Sequence, residues 1–310
     1  MAVVIAGSTG LVGSALTEAF VAAGHEVIGL NRSKVNLLDL AATKHLISDI
    51  KPSLMIDAAA KVGGIGANNS LPVEFLVDNV RIQSNLMEAA HAADVEKFVF
   101  LGSSCIYPRN CPQPIREDYL MTGPLEATNS AYAIAKIAGI ELVNAYRDEY
   151  GAKWISLMPT NLYGPRDNFN LQGSHVLPAL IRRFVEATEN GSDKVTLWGS
   201  GSPKREFLHV HDLAQAVLKT SEDYDSSMHL NIGSGSDLTI KDLARKVATA
   251  AGFSGDIEWD TSKPDGTPQK VLDVSRIKAL GWEPTITLEE GIASTIAWYK
   301  EASVRGEVRK

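Results

Sequence analysis

Cysteine is nearly absent: Cys105 and Cys111 are the only two among 310 residues. Two cysteines are too few for a disulfide framework, and no further Cys or closely spaced His pair completes a plausible zinc set. A reducing cytoplasm and a metal-free chain are the expectation. Basic residues are in deficit as well, with 30 Lys and Arg against 37 Asp and Glu and a net charge of −7. That argues against a nucleic-acid surface, although cations can still gather locally around an anionic ligand. Long apolar runs are missing: none approaches the roughly 20 residues that span a bilayer, so no membrane partner is expected. The first residues run straight into a strand-like Ala2-Val-Val-Ile-Ala6, without the basic flank and cleavage site of a secretory leader. They read as fold rather than address. Disorder is excluded by a 45% apolar, 22% charged composition.

What is present is a rhythm. Short apolar runs at Val3 to Ala6, Glu26 to Leu30, Leu54 to Ala58, Phe98 to Leu101 and Trp154 to Met158 alternate with stretches of helical periodicity. Alternation of this kind implies right-handed crossovers and a parallel sheet covered on both faces. The expected fold is α/β, a doubly wound Rossmann sheet with a smaller α/β substrate-binding domain. Beyond Pro159 the loops lengthen, with helices expected near His175 to Asn190, His211 to Ser221, Ile240 to Ala251 and Leu288 to Glu301. Residues 1–160, with 207–233 returning to them, are assigned to cofactor binding, and 161–206 and 234–310 to substrate binding. The polar stretch from Ser303 to Lys310 is expected to fray.

Gly7-Ser8-Thr9-Gly10-Leu11-Val12-Gly13 follows the first strand and opens a helix, with Gly24 as its stop. Glycines here permit a tight turn and close backbone approach, so a pyrophosphate can sit on the N–H groups of the helix N-terminus. A purely structural turn uses one such glycine readily and seldom three at this spacing. Where an NAD site carries an acid for the ribose 2′-hydroxyl, this chain has Asn31-Arg32. Asn31 brings no charge to repel a 2′-phosphate and Arg32 can pair with one, so NADP(H) is favoured over NAD; the bland alternative is a solvated loop charge.

Tyr132 and Lys136 stand four apart in a helical stretch, so both project from one face. A free phenol near pKa 10 is a poor acid or base at neutrality, and an adjacent ammonium stabilises its phenolate. The pair alone is weak, since exposed helical Tyr and Lys residues are common. Ser103, in Gly102-Ser-Ser-Cys-Ile-Tyr-Pro108, emerges at the carboxyl edge of the sheet, where open α/β folds bind ligands, and can donate to a carbonyl. Taken singly, Cys105 reads as a buried small hydrophobe and His175 as a helix-cap or surface histidine.

The glycine turn, the Ser at the strand end and the Tyr132–Lys136 pair together resemble the extended branch of the short-chain dehydrogenase/reductases. Within it, several runs are similar to the GDP-L-fucose synthase family: Ala58 to Ile65 with Asn68-Asn69, Gly102 to Pro108, Tyr132 to Gly139, Met158 to Pro165, Asp167-Asn-Phe169 with His175, and Lys263 to Pro268. The resemblance covers nearly the whole chain. It implies NADPH-dependent epimerisation of GDP-4-keto-6-deoxy-D-mannose at C3 and C5 and reduction at C4, because a 4-keto group acidifies the neighbouring hydrogens. Cys105 and His175 become the base and acid, with Cys105 the favoured base and the division open. His175 and Lys136 also face the cofactor. Asn161, Arg183, Trp198, Arg205 and Lys270 are placed around the GDP-sugar substrate. Singly, Arg183 reads as a solvated helix charge and Trp198 as core. Homodimerisation through the helices around Arg81 to Ala92 and Thr128 to Glu149 is likewise implied by the resemblance. One departure is that Ser8 and Thr9 stand where relatives often carry bulkier polar or basic residues, leaving Arg32 as the main argument for NADP. Two other readings compete: an NAD-retaining epimerase or dehydratase of the same branch, against which Asn31 and Cys105 speak, and an NADP-sensing regulator, which should have lost its Tyr and Lys.

Overall fold

In the computed structural model, which describes residues 2–263 and 265–309, the first half is a strict βα alternation. It runs β1 (Ala2–Ala6), α1 (Leu11–Ala22), β2 (Glu26–Leu30), α2 (Leu40–Ile50), β3 (Leu54–Asp57), α3 (Ile65–Ser70), α4 (Pro72–Ala92), β4 (Lys97–Leu101), α5 (Ser130–Tyr150) and β5 (Ile155–Pro159). The rest comprises β6 (Asn161–Tyr163), α6 (Val176–Glu189), β7 (Lys194–Trp198), β8 (Lys204–His209), α7 (Val210–Asp223) and β9 (Leu230–Ile232). β10 (Asp237–Thr239), α8 (Ile240–Ala251), β11 (Asp256–Asp260), β12 (Gln269–Lys270), α9 (Ser275–Ala279) and α10 (Leu288–Arg305) follow.

Six strands form one parallel sheet in the order β2-β1-β3-β4-β5-β9. Its strands are apolar and buried almost throughout because helices cover both faces, α1 with α7 on one and α4 with α5 on the other. The order reverses at β1, whose two neighbours β2 and β3 are reached by successive crossovers on opposite sides. The crevice at the carboxyl ends of β1 and β3 is the place where such sheets bind ligands.

Two cores result. The larger joins the sheet to α1, α4, α5 and α7 and takes in Leu272, Val274, Ile277 and Trp282 from late in the chain. The smaller gathers Leu180, Phe184, Leu243, Val247, Ile292 and Tyr299 from α6, α8 and α10, with Phe169 from the loop before α6. Helix ends follow their local chemistry. Thr239 accepts from Asp242 N at 3.0 Å to start α8, while Thr287 and Glu290 form a reciprocal capping box on α10. Gly252 and Gly306, both left-handed, end the same two helices.

The expected helices and strands appear within a few residues of their sequence bounds. The short strands β6, β8, β10 and β12, which link into a second small sheet, carry no sequence signal of their own. One expectation is corrected. The polar stretch from Ser303 is helical to Arg305, and Phe169 N donates to the Arg309 carbonyl at 2.9 Å, so it docks rather than frays. Lys310 and Met1 lie outside the described residues, as does Pro264 within the 263–268 run.

Candidate active site

The turn after β1 is shaped to admit a dinucleotide. Gly7 has φ +79°, and a Cβ there would stand 2.7 Å from the Ala58 carbonyl oxygen. A Cβ on Gly13 would run into the Gly7 carbonyl, so α1 can lie this close to the turn only with glycine there. No side chain caps α1 at Gly10, which leaves the first-turn N–H groups of Leu11, Val12 and Gly13 without partners inside the helix. These residues fit a pyrophosphate. Thr9 is exposed beside them. Ser8 is turned away: its N–H and its hydroxyl both donate to the Leu30 carbonyl, at 3.1 and 3.2 Å, so it holds β2 against the turn instead of facing a ligand.

At the end of β2 the Asn31 carboxamide accepts from Ser33 N at 3.0 Å, Ser33 Oγ at 2.6 Å and Lys34 N at 3.2 Å. Asn31 therefore builds a compact Asx turn on which Arg32, Ser33 and Lys34 are all exposed. Ser33 and Lys34 were not singled out from the sequence, and they add a hydroxyl and a second cation to the single charge of Arg32.

Ser103, Cys105, Tyr132 and Lys136, the residues expected to react, lie near the carboxyl ends of β3 and β4. Ser103 starts the single turn 104–106, its Oγ accepting from Cys105 N at 3.3 Å, which leaves the hydroxyl proton available. Tyr132 lies edge-on to Phe75, with ring centroids 6.3 Å apart. Lys136 is buried, donates to the Leu101 carbonyl at 2.9 Å and stands over the Phe100 ring at 4.8 Å. Its Nζ is 5.9 Å from the Tyr132 ring centroid.

Burial governs the titration of all three. The Cys105 thiol is pushed up by desolvation, with Lys270 the leading opposing charge and Ser103 and Lys136 behind it. Tyr132 is likewise pushed well above the ordinary phenol value, by desolvation first and then by Cys105 and Asp57. The expectation that Lys136 acidifies the phenol is not met: desolvation dominates, and the charges acting on Tyr132, Cys105 and Asp57, both raise it. Lys136 itself is lowered by desolvation and supported by Asp57 and Cys105.

His175 precedes α6 and makes no side-chain cap. Its side chain is solvent-accessible, and desolvation by the surrounding protein lowers its imidazolium pKa. The loop before it is held to the β3 side by Gly64 N, which donates to the Gly173 carbonyl at 3.0 Å. A Cβ on Gly64 would stand 2.6 Å from the Ser174 carbonyl oxygen.

Lys270 and Arg205 meet through the paired strands β12 and β8, register partners, and Lys270 acts electrostatically on Cys105, Arg205, Cys111 and Glu126. Glu126, missed in the sequence, also pairs with Arg109 at 3.3 Å and accepts from Thr267 Oγ1 at 3.4 Å, so one carboxylate sits among three cations. Asn161 is committed to the fold, donating to the Glu206 carbonyl at 2.8 Å. Arg183 donates to the Thr196 carbonyl at 3.2 Å and ties α6 to β7. Trp198 is 69% exposed, with Lys263 Nζ 5.8 Å from its ring centroid, a flat apolar surface ready for a partner.

Known proteins share this arrangement. The profile of the "NAD dependent epimerase/dehydratase family" matches residues 3–233. "Probable GDP-L-fucose synthase 1" of Oryza sativa subsp. japonica is 50% identical over 301 residues, 96% of this chain and 92% of that one. The "GDP-L-fucose synthase" of Escherichia coli (strain K12) is 48% identical over 309 residues, 96% of each. Among solved structures, a "gdp-l-fucose synthetase from Naegleria fowleri bound to NADP" superposes with a TM-score of 0.92 at 30% identity, covering 100% of this chain and 96% of that one. With its glycine turn, sheet-edge serine and Tyr132–Lys136 pair in place, the chain belongs to the NAD dependent epimerase/dehydratase family.

Proposed function

We propose that this chain converts GDP-4-keto-6-deoxy-D-mannose to GDP-L-fucose, epimerising C3 and C5 and reducing C4 with NADPH. The observation that carries this reading is the position of Lys270. It couples the thiol that can move sugar protons to the cation set that can hold a sugar nucleotide's diphosphate. The 48–50% identity to GDP-L-fucose synthases over nearly full length supports the same substrate.

The turn 7–13 would hold the cofactor's pyrophosphate, and Arg32 with Ser33 and Lys34 its 2′-phosphate. NADPH, when bound, supplies the hydride for C4. Arg205 and Lys270 fix the diphosphate by charge-assisted hydrogen bonds, and Trp198 offers its face to the guanine. Asn161 and Arg183 position β8 and α6 beside that substrate. Ser103 donates to the C4 oxygen, so that charge arising there as C3 or C5 loses its proton is stabilised. Cys105, as thiolate, removes each proton and His175, as imidazolium, delivers one on the opposite face; Cys105 then releases its proton to solvent and His175 takes one up, which resets the pair for the second carbon. In the reduction Tyr132 gives its phenolic proton to the C4 oxygen and is reprotonated through Lys136. Lys136 also holds the nicotinamide ribose.

In this reading residues 1–160 and 207–233 form the cofactor half, and 161–206 with 234–310 the substrate half. The α4–α5 face packs against a second copy, for which Val73, 71% exposed, and Ile134, 49% exposed, supply apolar contact. Two free thiols suit a reducing cytoplasm. The test is incubation of purified protein with GDP-4-keto-6-deoxy-D-mannose and NADPH. One NADPH should be oxidised for each GDP-L-fucose formed; absence of oxidation defeats the proposal.

A further inference from the structure

Asp57 is a carboxylate where an apolar strand would be expected to continue. It is the last residue of β3, 1% exposed, and falls within the run Leu54-Met-Ile-Asp57. One oxygen, Oδ1, accepts from Ala59 N at 3.1 Å, while Oδ2 is buried with no hydrogen-bond partner. A buried ionisable group left half-satisfied destabilises a fold, and the fold itself gives no reason for it.

Its surroundings suggest one. In the β3–β4 ladder Asp57 is the register partner of Phe100, and laterally paired residues in a parallel sheet send their side chains to the same face. Phe100 faces α5, since a Cβ on Gly139 of that helix would run into its ring. On the same ring stands Lys136 Nζ at 4.8 Å, anchored to the carbonyl of Leu101, the next residue along β4. Asp57 thus lies beside Lys136, the one ammonium buried on this face among the described residues. The elbow that follows it, Ala58-Ala59, abuts the Gly7 turn, so Asp57 sits between the dinucleotide turn and the Tyr132–Lys136 couple.

We propose that Asp57 is a positioning residue for reduction at C4: its carboxylate is the buried counter-charge that keeps Lys136 an ammonium and Tyr132 a phenol. It neither touches substrate nor gives up a proton itself. The inference rests on the reading of Tyr132 as the proton donor. The groups facing the trio are few among the described residues. Lys136 and Tyr132 come from α5 and Cys105 from the turn after β4, while Ala6 on β1 is apolar. α4, also packed on β3, buries the amides Asn79 and Gln83, and its acids Glu74 and Asp78 pair with Lys61 instead. Burial holds the Asp57 carboxyl up at about 6 against the pull of Lys136, so it is ionised above that pH. When ionised it raises both Lys136 and Tyr132. Removing its charge therefore lowers the pH at which either of them loses the proton needed for delivery.

The experiment compares wild type, Asp57→Asn and Asp57→Leu in NADPH oxidation from pH 5 to 10. In both variants kcat at pH 8 should fall about tenfold or more, and the alkaline limb should move at least half a unit toward acid, with KM for the sugar nucleotide within twofold of wild type. A second readout needs no turnover. Because folding raises the carboxyl from 3.8 to about 6, the stability it contributes is full below about pH 4 and lost as pH climbs through 6, so the variants' melting temperatures should gain on wild type between pH 4 and pH 7. An Asn variant whose pH profile superimposes on wild type overturns the inference. Tyr132→Phe, run alongside, separates the two ideas. If it still reduces, the donor assignment fails; if it is dead while Asp57→Asn keeps the wild-type profile, only the role of Asp57 fails.

Discussion

At the level of single residues, the site divides labour through burial. Desolvation favours the neutral forms of Cys105 and Tyr132, and in the proposed reaction both must change protonation. Tyr132→Phe deletes the proposed proton donor, so NADPH oxidation should fall by about 10²–10⁴-fold, while NADPH binding, followed by its fluorescence, stays near wild type. Full turnover in that variant removes Tyr132 from the mechanism. Cys105→Ser should stop deuterium entering C3 and C5 from heavy water. In wild type that exchange should climb from pH 7 to 9, because the thiolate is the acting form and its pKa is raised. A flat exchange profile points to another base. The placement of several of these residues was legible in the sequence: the glycine turn and Ser103 follow strand ends directly, and Tyr132 and Lys136 stand four apart on one helix. Asp57, Glu126 and the exposed Ser33–Lys34 pair were not. A carboxylate closing an apolar run reads as an ordinary strand end, and the cations around Glu126 come from segments far apart in the chain.

Among the elements, α5 carries the reacting pair and its seating on β4 decides their aim. Gly139 is the contact point, since a methyl group there meets the Phe100 ring, over which Lys136 is held. Gly139→Ala should cost about 1–3 kcal/mol of stability through overpacking, and kcat should fall because the ring must move beneath Lys136. Denaturant unfolding and steady-state kinetics read the two losses; normal values for both show that the helix can slide at no cost. The βα units were foreseeable because strand and helix periods differ and each crossover is short. The second sheet was not, as β6, β10 and β12 have two or three residues apiece and draw their pairing wholly from β8.

For the molecule as a whole, buried acids set how stability responds to pH. Asp167, with Oδ2 unpartnered, is raised from 3.8 to about 7 by desolvation, opposed by the Asn168 N–H and Arg309. A carboxyl raised on folding contributes stability that is full below pH 4 and lost as pH climbs through 7. Asp167→Asn should therefore gain on the wild type by on the order of 3 kcal/mol between pH 4 and 8. Thermal melts at the two pH values measure it, and a constant difference shows that Asp167 stays ionised throughout.

The interleaving of the two cores also bears on how the chain is made. β5 has β4 on one side and β9 on the other, with Leu157 opposite Leu230. On the ribosome the five earlier strands are complete well before β9 emerges, a wait of roughly 4–15 s at about 5–20 residues per second. During that interval β5 presents an open, apolar sheet edge, the kind of surface that neighbouring nascent chains can pair with. Crowded or slow synthesis therefore penalises this protein through its unfinished sheet, whatever the stability of the finished one.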